Sequence, residues 1–259
     1  MIIGREQRYH PEYSFPERMF INILGIPVVG LRIRARNLLH LLPEIPGTVD
    51  ILDAGSGPGV ITFLLAAKYP KARITGVDIS SEEINNCRAI AAKGNFENTS
   101  FEQSDINEIP WQSRFELAVC VDILEHIEDD QTAIDSLCST LVPGGTLILH
   151  VPAKFRRYPV FKRTLNFSVP SHVREGYTLG DLQTLVEKAE LKIMDAGHTF
   201  GFMETLANNL GYMITKAEKK NRLFYALAFP FLNTLGWLGQ KSHPGQLGAG
   251  VYIVAKRAE

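Results

Sequence analysis

The sequence predicts an α/β fold, in which a mostly parallel sheet is doubly wound with helices. From Val49 to Val151, short runs rich in β-branched residues alternate with longer helical patterns. A glycine-rich turn follows the first of these runs. This alternation is typical of parallel strands that are joined by right-handed helical crossovers.

The predicted elements follow one another in chain order. We expect the first five strands at Val49–Ala54, Arg73–Asp78, Thr99–Gln103, Phe115–Val121 and Thr146–Val151. Helices are predicted near Val60–Lys68, Ser81–Lys93 and Asp130–Leu141. A fourth helix, Leu179–Ala189, precedes two further strands at Leu191–Thr199 and Gly250–Lys256.

The regions outside this alternation are predicted to be helical. We expect a single domain over residues 1–259, with a helical lead-in (1–47), a ligand-binding core (48–200), a helical cap (201–248) and a final strand (249–259). The segment Leu223 to Gly239 is apolar but has only 17 residues and contains Pro230. A spanning helix needs about 20 predominantly apolar residues. This segment is therefore interpreted as an interfacial or substrate-facing helix, or as one packed into the core.

Charge and cysteine content indicate which partners and which cellular location to expect. The formal net charge of the 259 residues is −1, so there is no overall positive field for nucleic acid, and we expect no nucleic-acid partner. The three cysteines show no metal-binding spacing, which favours reduced thiols in a cytosolic protein. The first ten residues carry charge where a secretory signal would be apolar, so a cytoplasmic location is expected.

The strongest functional motif is ILDAGSGPG, which runs from Ile51 to Gly59. Glycines at every second position let the backbone turn sharply and touch a ligand, and the following helix offers free N–H groups. Val60 stands where a dinucleotide motif would place its third glycine. Asp53 would repel a pyrophosphate, but its carboxylate suits the cationic amino group of a methionine-like ligand.

Three more motifs lie at the carboxyl ends of the next strands, where open parallel sheets bind ligands. In ITGVDIS, Asp78 can accept hydrogen bonds from both hydroxyls of a ribose. In FEQSDINEIP, the Asp105 carboxylate can accept a hydrogen bond from the amino group of an adenine, and the Ile106 N–H can donate one to a ring nitrogen. The fourth motif, FELAVCVDILEHIED, opens from the fourth strand into a turn.

Together these stretches, with LVPGGTLIL, resemble the class I S-adenosylmethionine-dependent methyltransferases, in the broad group with ubiquinone-biosynthesis and sterol-type enzymes. The resemblance implies a Rossmann-like sheet of seven strands, with the last strand antiparallel and inserted between the fifth and sixth. It implies that Asp53, Gly55 and Gly57 contact the methionine part of the cofactor, Asp78 the ribose, and Asp105 and Ile106 the adenine. The predicted cofactor-binding residues are Asp53, Gly55, Ser56, Gly57, Gly59, Asp78, Ile79, Asp105, Ile106 and Val121.

The candidate catalytic residues are Glu125, His126 and His172. Asp122, Glu125 and His126 form D-x-x-E-H, which resembles the E-x-x-E-H that ligates a divalent metal in ubiquinone-type and small-RNA methyltransferases. Because the first position is Asp, we predict no metal and keep these three residues as weak candidates for ligands. In a helical turn, Asp122 and Glu125 would share a face. His172 can take a proton from a substrate hydroxyl, or can bond the backbone at a helix entry.

Other residues near the predicted crevice leave alternatives open. His150 either faces the crevice or is a satisfied core histidine, and the basic run Arg156, Arg157, Lys162 and Arg163 either holds an anionic substrate or lies in a solvated loop. The aromatic and Met-rich stretch from Phe200 onward suits a lipophilic small acceptor or covers a core.

The sequence therefore predicts a methyltransferase that uses S-adenosylmethionine and a small, lipophilic acceptor, with O-methylation favoured and membrane contact through residues 223–239. The alternatives are a nucleic-acid methyltransferase and a non-catalytic protein that binds the cofactor on the same scaffold.

Overall fold

The computed structural model describes residues 2–157, 160–166, 169, 171–215, 222–240 and 248–259. Seven strands form one sheet: β1 (Asp50–Ala54), β2 (Arg73–Asp78), β3 (Thr99–Gln103), β4 (Phe115–Val121), β5 (Leu141–Pro152), β8 (Leu191–Thr199) and β9 (Gly250–Arg257). A separate hairpin consists of β6 (Phe155–Arg157) and β7 (Arg163–Leu165).

The strand order of the sheet is β3-β2-β1-β4-β5-β9-β8. The first five strands pair in parallel, whereas β9 runs antiparallel between β5 and β8. This order confirms the seven-stranded, mostly parallel, doubly wound fold. It also brings the carboxyl ends of β1 to β5 to one edge, where a ligand can meet all of them.

Helices α3 (Val60–Lys68), α4 (Ser81–Gly94), α5 (Asp130–Thr140) and α6 (Leu179–Lys188) connect the strands of this sheet. The starting points of α4, α5 and α6 follow from side-chain caps, because the first N–H groups of a helix have no partner within it. Ser80 accepts from Glu83 N, Asp129 accepts from Thr132 N, and Thr178 accepts from Asp181 N. The predicted helices are confirmed to within a residue at each end.

Two features differ from the sequence prediction. Strand β5 begins at Leu141 instead of Thr146, because Leu141 already pairs with Phe115 before a register shift in the ladder. Helix α5 therefore ends at Thr140. The β6–β7 hairpin was not predicted, since each of its strands has only three residues and is too short to show an alternating pattern.

The lead-in is helical, as predicted, but it is not separate from the core. It contains a 3-10 helix (Arg5–Tyr9) and helices α1 (Phe15–Leu24) and α2 (Val29–Leu41). On one face of α2, Ala35 and Leu38 join a buried cluster with residues of α3 and of the sheet. Helix α2 thus packs directly against α3 and the sheet.

The predicted helical insertion before the last strand forms α7 (Phe202–Thr215) and α8 (Arg222–Gly239). On its inner face, α8 buries Phe229 and Leu232 against Val29 and Ile33 of α2. Other large apolar side chains of α8 face outward, and Leu227 is 73% exposed. Among the described residues, we find no helix with the length and hydropathy needed to cross a bilayer.

Neighbouring phenylalanines of α8 provide a matched test of this packing. Phe229 is 0% exposed and Phe231 is 66% exposed. We expect Phe229→Ala to lower the free energy of unfolding by about 3–5 kcal/mol, because it leaves a cavity between α2 and α8. Phe231→Ala should change it by less than about 0.5 kcal/mol. Urea unfolding measures both values, and equal losses in the two variants would contradict this orientation of α8.

Candidate active site

The glycine-rich loop joins β1 to α3 at the carboxyl edge of the sheet. Gly55, Gly57 and Gly59 all have left-handed backbone angles, with φ of 77°, 47° and 79°. A Cβ on Gly55 would lie 2.3 Å from an atom of the Ile123 side chain, whereas one on Gly57 would meet no atom within 4 Å. Glycine at 55 is therefore required by close packing, and the backbone at 57 faces open space that a ligand can enter.

The end of β2 holds this loop in place. Gly55 N and Ser56 N both donate to Val77 O, at 2.8 and 2.7 Å. Gly57 N donates to Asp78 Oδ2 at 2.7 Å, and Ser80 N donates to Asp78 Oδ1 at 2.9 Å. Because each carboxylate oxygen accepts two hydrogen bonds, Asp78 keeps capacity for two ribose hydroxyls. Its carboxylate thus both shapes the loop and remains available to a ligand.

Asp53 lies under the loop instead of in the open. It is 1% exposed, and its Oδ2 accepts from Thr62 Oγ1 at 2.6 Å. Burial raises the pKa of Asp53 to about 7, so that its carboxyl group is poised between the neutral and charged forms near neutral pH. A nearby cation would favour the charged form. Direct contact between Asp53 and the amino group of the cofactor stays a prediction.

The third and fourth predicted ligand-binding motifs, around Asp105 and at the end of β4, lie at the same carboxyl edge of the sheet. Asp105 is exposed and caps a short 3-10 helix (Ile106–Glu108), where its Oδ1 accepts from Asn107 N at 2.9 Å. Ile106 is buried, but Ile79, next to Asp78, is 67% exposed. Val121 is half-buried at the end of β4. The strand order thus brings the predicted cofactor-binding residues to adjacent strand ends, and their individual contacts with the cofactor stay predictions.

Asp122 follows β4 directly and is a charged centre of the site. Its φ of 55° is unusual for a residue other than glycine, and its N–H donates to His150 O at 2.8 Å. One carboxylate oxygen lies 2.7 Å from His150 Nδ1, and the other forms an ion pair with Arg34 of α2. Although burial acts to raise the pKa of Asp122, Arg34 and His150 together hold it below its usual value.

This arrangement corrects one expectation about the turn and decides between the two alternatives for His150. The helical segment starts only at Leu124, so Asp122 and Glu125 do not share a helical face. His150 is a satisfied core histidine: its Nε2 lies 2.7 Å from Thr199 Oγ1, and its side chain is 3% exposed. The position of Arg34 was missed by sequence reasoning, because its helical stretch gave no signal of a partner so far along the chain.

Glu125, His126 and His172 form a second cluster. One ligand atom from each of them lies within 4.8 Å of the other two, and the rings of His126 and His172 meet edge to face at 4.5 Å. Val173 N donates to Glu125 O at 2.9 Å, which holds the His172 segment in place. Asp122 is not part of this cluster. Both histidines were predicted as catalytic candidates from their motifs, but no local pattern indicates that His172 joins Glu125 and His126.

The protonation states of this cluster are set by its surroundings. Burial, followed by repulsion from Asp122, raises the pKa of Glu125 well above its usual range. Burial and the neighbouring His126 lower the pKa of His172 from its usual value of 6.5. His126 Nδ1 lies 2.9 Å from Ser171 O, which can only accept, so this nitrogen carries a proton. Near neutral pH, the cluster combines a neutral carboxylic acid with a neutral imidazole.

The basic run separates into buried and exposed parts. Arg156 is 6% exposed and lines a cavity of about 30 Å³, whereas Lys162 and Arg163 are exposed and Arg157 is half-buried. We call this space the arginine cavity. It is lined by Arg34, Asp122, His150, Pro152, Arg156, Asn166, Phe200, Asn208 and Ala249. The run is therefore not one solvated loop, since Arg156 and Arg157 end β6 and Arg163 begins β7, and its role in holding an anionic substrate stays a prediction.

Known proteins resemble this chain in sequence and in structure. A family model described as a methyltransferase domain matches residues 47–218. The chain is 34% identical over 119 residues to a trans-aconitate 2-methyltransferase of Deinococcus radiodurans, a match that covers 46% of this chain and 43% of that protein. The chain thus spans less than half the length of the curated relatives that it matches.

Two solved structures share the fold. A phosphoethanolamine N-methyltransferase 2 of Haemonchus contortus, in complex with S-adenosyl-L-methionine, has a TM-score of 0.62 at 16% identity, and the match covers 100% of this chain and 61% of that one. A protein of Galdieria sulphuraria described as a sarcosine dimethylglycine methyltransferase has a TM-score of 0.60 at 14% identity, with 94% and 97% covered. The resemblance to methyltransferases is confirmed at the level of the family, since the family match extends over more than half of the sequence. The chain belongs to the methyltransferase domain family.

Proposed function

We propose that this S-adenosylmethionine-dependent methyltransferase methylates a hydroxyl group of a small, lipophilic acceptor that it meets at a membrane surface. The observation that carries the O-methylation is the neutral imidazole of His172, held beside Glu125 and His126 next to the end of β4. The observation that carries the lipophilic acceptor is the outward apolar face of α8.

The cofactor fits the edge formed by β1 to β4. Gly57 presents open backbone beside the Asp78 carboxylate, and the exposed side chain of Ile79, next to Asp78 in the chain, offers apolar surface. When bound, S-adenosylmethionine supplies a methyl group that is already activated by its sulfonium charge. The main tasks of the protein are therefore to align the acceptor with this methyl group and to exclude water, and little covalent chemistry is required of its side chains.

We assign His172 the role of proton acceptor for the substrate hydroxyl. A neutral imidazole accepts a proton, and a positioned base of this kind typically accelerates a reaction by about 10²–10⁴-fold. His126 lies against the His172 ring and is itself fixed by Ser171 O. Glu125 remains protonated in this arrangement and supports the pair through its backbone carbonyl, which accepts from Val173 N.

The same three residues also fit a divalent cation. Glu125 Oε2 and His172 Nδ1 are buried and have no hydrogen-bond partner, and carboxylate and imidazole groups are common ligands of such ions. If a cation binds there, Glu125, His126 and His172 would hold it, and it would lower the pKa of a bound hydroxyl. The proton-acceptor role requires no metal, so chelation separates the two roles.

The outer face of α8 supports the lipophilic acceptor. Leu223, Leu227, Phe231 and Leu238 recur at helical spacing and are each more than half exposed. The residues just before and at the start of this helix, 216–222, read KAEKKNR and carry excess positive charge in the sequence. Apolar side chains beside basic residues are typical of helices that lie in the interface of an anionic membrane.

A second acceptor class comes from the relatives. Several are named trans-aconitate 2-methyltransferases, but each match covers only about half of this chain. Trans-aconitate therefore belongs in the acceptor panel as a polar comparison. The net charge of −1 gives no support to a nucleic-acid acceptor.

Asp78 provides the test of cofactor binding. We expect Asp78→Ala to weaken S-adenosylmethionine binding by about 100-fold or more, because two charge-assisted hydrogen bonds are each worth about 1.5–3 kcal/mol. Asp135→Ala is the matched control, since Asp135 is an exposed aspartate on α5. Calorimetric titration gives both affinities. Equal affinities in the two variants would remove Asp78 from the cofactor site.

His172 provides the test of proton transfer. With a lipid extract as acceptor, His172→Ala should lower the rate of methyl transfer by about 100-fold or more while leaving cofactor affinity intact. His198→Ala, which alters another half-buried histidine with a lowered pKa, should change neither. In the unaltered enzyme the rate should rise as His172 loses its proton, and should be level at and above neutral pH because its pKa lies below 6.5. Loss of activity on chelation, restored by a divalent cation, would instead assign the cluster to a metal.

The α8 face provides the test of membrane contact. The double variant Leu227→Glu, Phe231→Glu should reduce co-sedimentation with phosphatidylglycerol-containing vesicles by about tenfold or more. The reason is that it replaces two apolar side chains, which would enter the membrane interface, with charged ones. The control Met194→Glu places the same charge at an exposed apolar position of β8. If the unaltered protein does not bind the vesicles, or if both variants lose equally, the membrane surface is excluded.

A further inference from the structure

A segment near the start of the chain reaches the glycine-rich loop. This N-terminal segment, residues 3–9, includes the 3-10 helix Arg5–Tyr9 and lies before residue 47, where the family match begins. We infer that its Gln7 is a positioning residue, which holds the loop in the conformation that binds the cofactor. The inference rests on the proposed cofactor site beside Asp78, and it adds to that site a residue that the sequence prediction did not contain.

The contact between Gln7 and the loop is direct. Gln7 Nε2 donates to Pro58 O at 2.6 Å, and Gln7 is 0% exposed. Pro58 stands between Gly57 and Gly59 and has no N–H, so its carbonyl is the backbone group through which it can be hydrogen-bonded. Because the Gln7 side chain is enclosed by protein, this hydrogen bond is stronger than one that faces bulk water.

The residue before Pro58 is held on both sides of its own backbone. Gly57 N donates to Asp78 Oδ2 at 2.7 Å, and Gly57 O accepts from Sγ of Cys87, a buried residue of α4, at 3.3 Å. Gln7 adds the next carbonyl to this set. Three distant parts of the chain therefore fix three successive polar groups of the loop, at the point where Gly57 faces open space.

The N-terminal segment is itself anchored on each side of Gln7. Before it, Ile3 is buried in a cluster with residues of α2 and α3, and Ile3 O accepts from Ile26 N at 3.3 Å. After it, Tyr9 packs on the apolar cluster that contains Cys87 and Phe63. Gln7 thus reaches the loop from a fixed platform and can transmit that rigidity to Pro58.

This arrangement predicts an effect on cofactor affinity. A loop that already has its bound conformation loses less conformational entropy when a ligand binds, so the affinity is higher. Without the Gln7 hydrogen bond, part of the binding free energy would be spent on ordering the loop. Gln7 acts in this way through the Pro58 carbonyl, without itself touching the cofactor.

The first test removes the donor and keeps the length of the side chain. In calorimetric titrations of the full-length protein, we expect Gln7→Met to weaken S-adenosylmethionine binding by about tenfold, the value of one enclosed hydrogen bond. Gln112→Met is the matched control and should leave the affinity unchanged. Gln112 is exposed and lies before the amino end of β4, at the opposite edge of the sheet from the loop.

The second test makes the contact titratable. In Gln7→Glu, a protonated carboxyl group can still donate to Pro58 O, whereas the ionised form has no donor and repels the carbonyl. Relative to the unaltered protein at the same pH, we expect binding within about threefold at pH 5 and at least tenfold weaker at pH 8. Gln112→Glu should show no such change with pH.

Comparison at equal pH is needed because other groups titrate in this range. Burial raises the pKa of Glu6, the neighbour of Gln7, to about 7, and it does the same for Asp53 beneath the loop. Both carboxyl groups are present in the unaltered protein and in every variant, so their contribution cancels in the ratio of affinities. The thermal unfolding midpoint of each variant, without ligand, reports its folding separately.

The outcomes separate this inference from the proposed cofactor site. If S-adenosylmethionine binds the unaltered protein and Asp78→Ala weakens it, but both Gln7 variants bind as tightly as the unaltered protein, the inference alone is wrong. A loss in Gln7→Glu that is equal at pH 5 and pH 8 would assign Gln7 a purely structural role and would also overturn it. If the unaltered protein does not bind S-adenosylmethionine, the proposed cofactor site is wrong and the inference falls with it. If Gln7→Met does not fold, Gln7→Glu decides the question, since it keeps the donor at pH 5.

Discussion

The ion pair between Arg34 and Asp122 is the interaction on which the active region depends. Asp122 stands where β4 ends, in a backbone conformation that costs free energy for any residue with a side chain. Arg34 from α2 compensates its buried charge, and His150 from β5, which is held in turn by Thr199 of β8, lies beside its other oxygen. Residues of α2 and β5 therefore meet at one carboxylate at the end of β4. Removing Arg34 would leave that buried charge without its cation, which is more costly than removing the whole network.

The parts of the site that lie within a few residues of one another could be predicted from the sequence. The glycine loop and Asp78 follow from local rules, because a strand end, a sharp turn and a helix start each need particular residue types. The order of the strands then brings these motifs to one edge. By contrast, the partners Arg34–Asp122 and His126–His172 are far apart in the chain, and nothing in their local sequence specifies the pairing. Such contacts depend on how α2 and the segment before α6 pack onto the sheet, which is a property of the tertiary structure.

The region around the cofactor edge limits its own negative charge when no ligand is present. Asp53 and Glu125 are both buried, and burial raises the pKa of each, so that Glu125 is neutral and Asp53 is close to its midpoint near pH 7. Asp78, in contrast, is half-buried and has two backbone donors on its oxygens. The fold thus presents one carboxylate in a prepared, hydrogen-bonded form and keeps another poised to ionise. A cation placed against Asp53 would favour that ionisation, as the predicted contact with the amino group of S-adenosylmethionine requires.

The two faces of α8 lie in two different environments. Its inner face, centred on Phe229, packs on α2, and α2 supplies Arg34 to the charged centre at the end of β4. Its outer face is apolar and is not covered by any described part of the chain. Since Arg34 also lines the arginine cavity, helix α2 contacts both the apolar cap and the carboxylate of Asp122. The packing of α8 therefore supports the position of α2, and with it the ion pair at the end of β4.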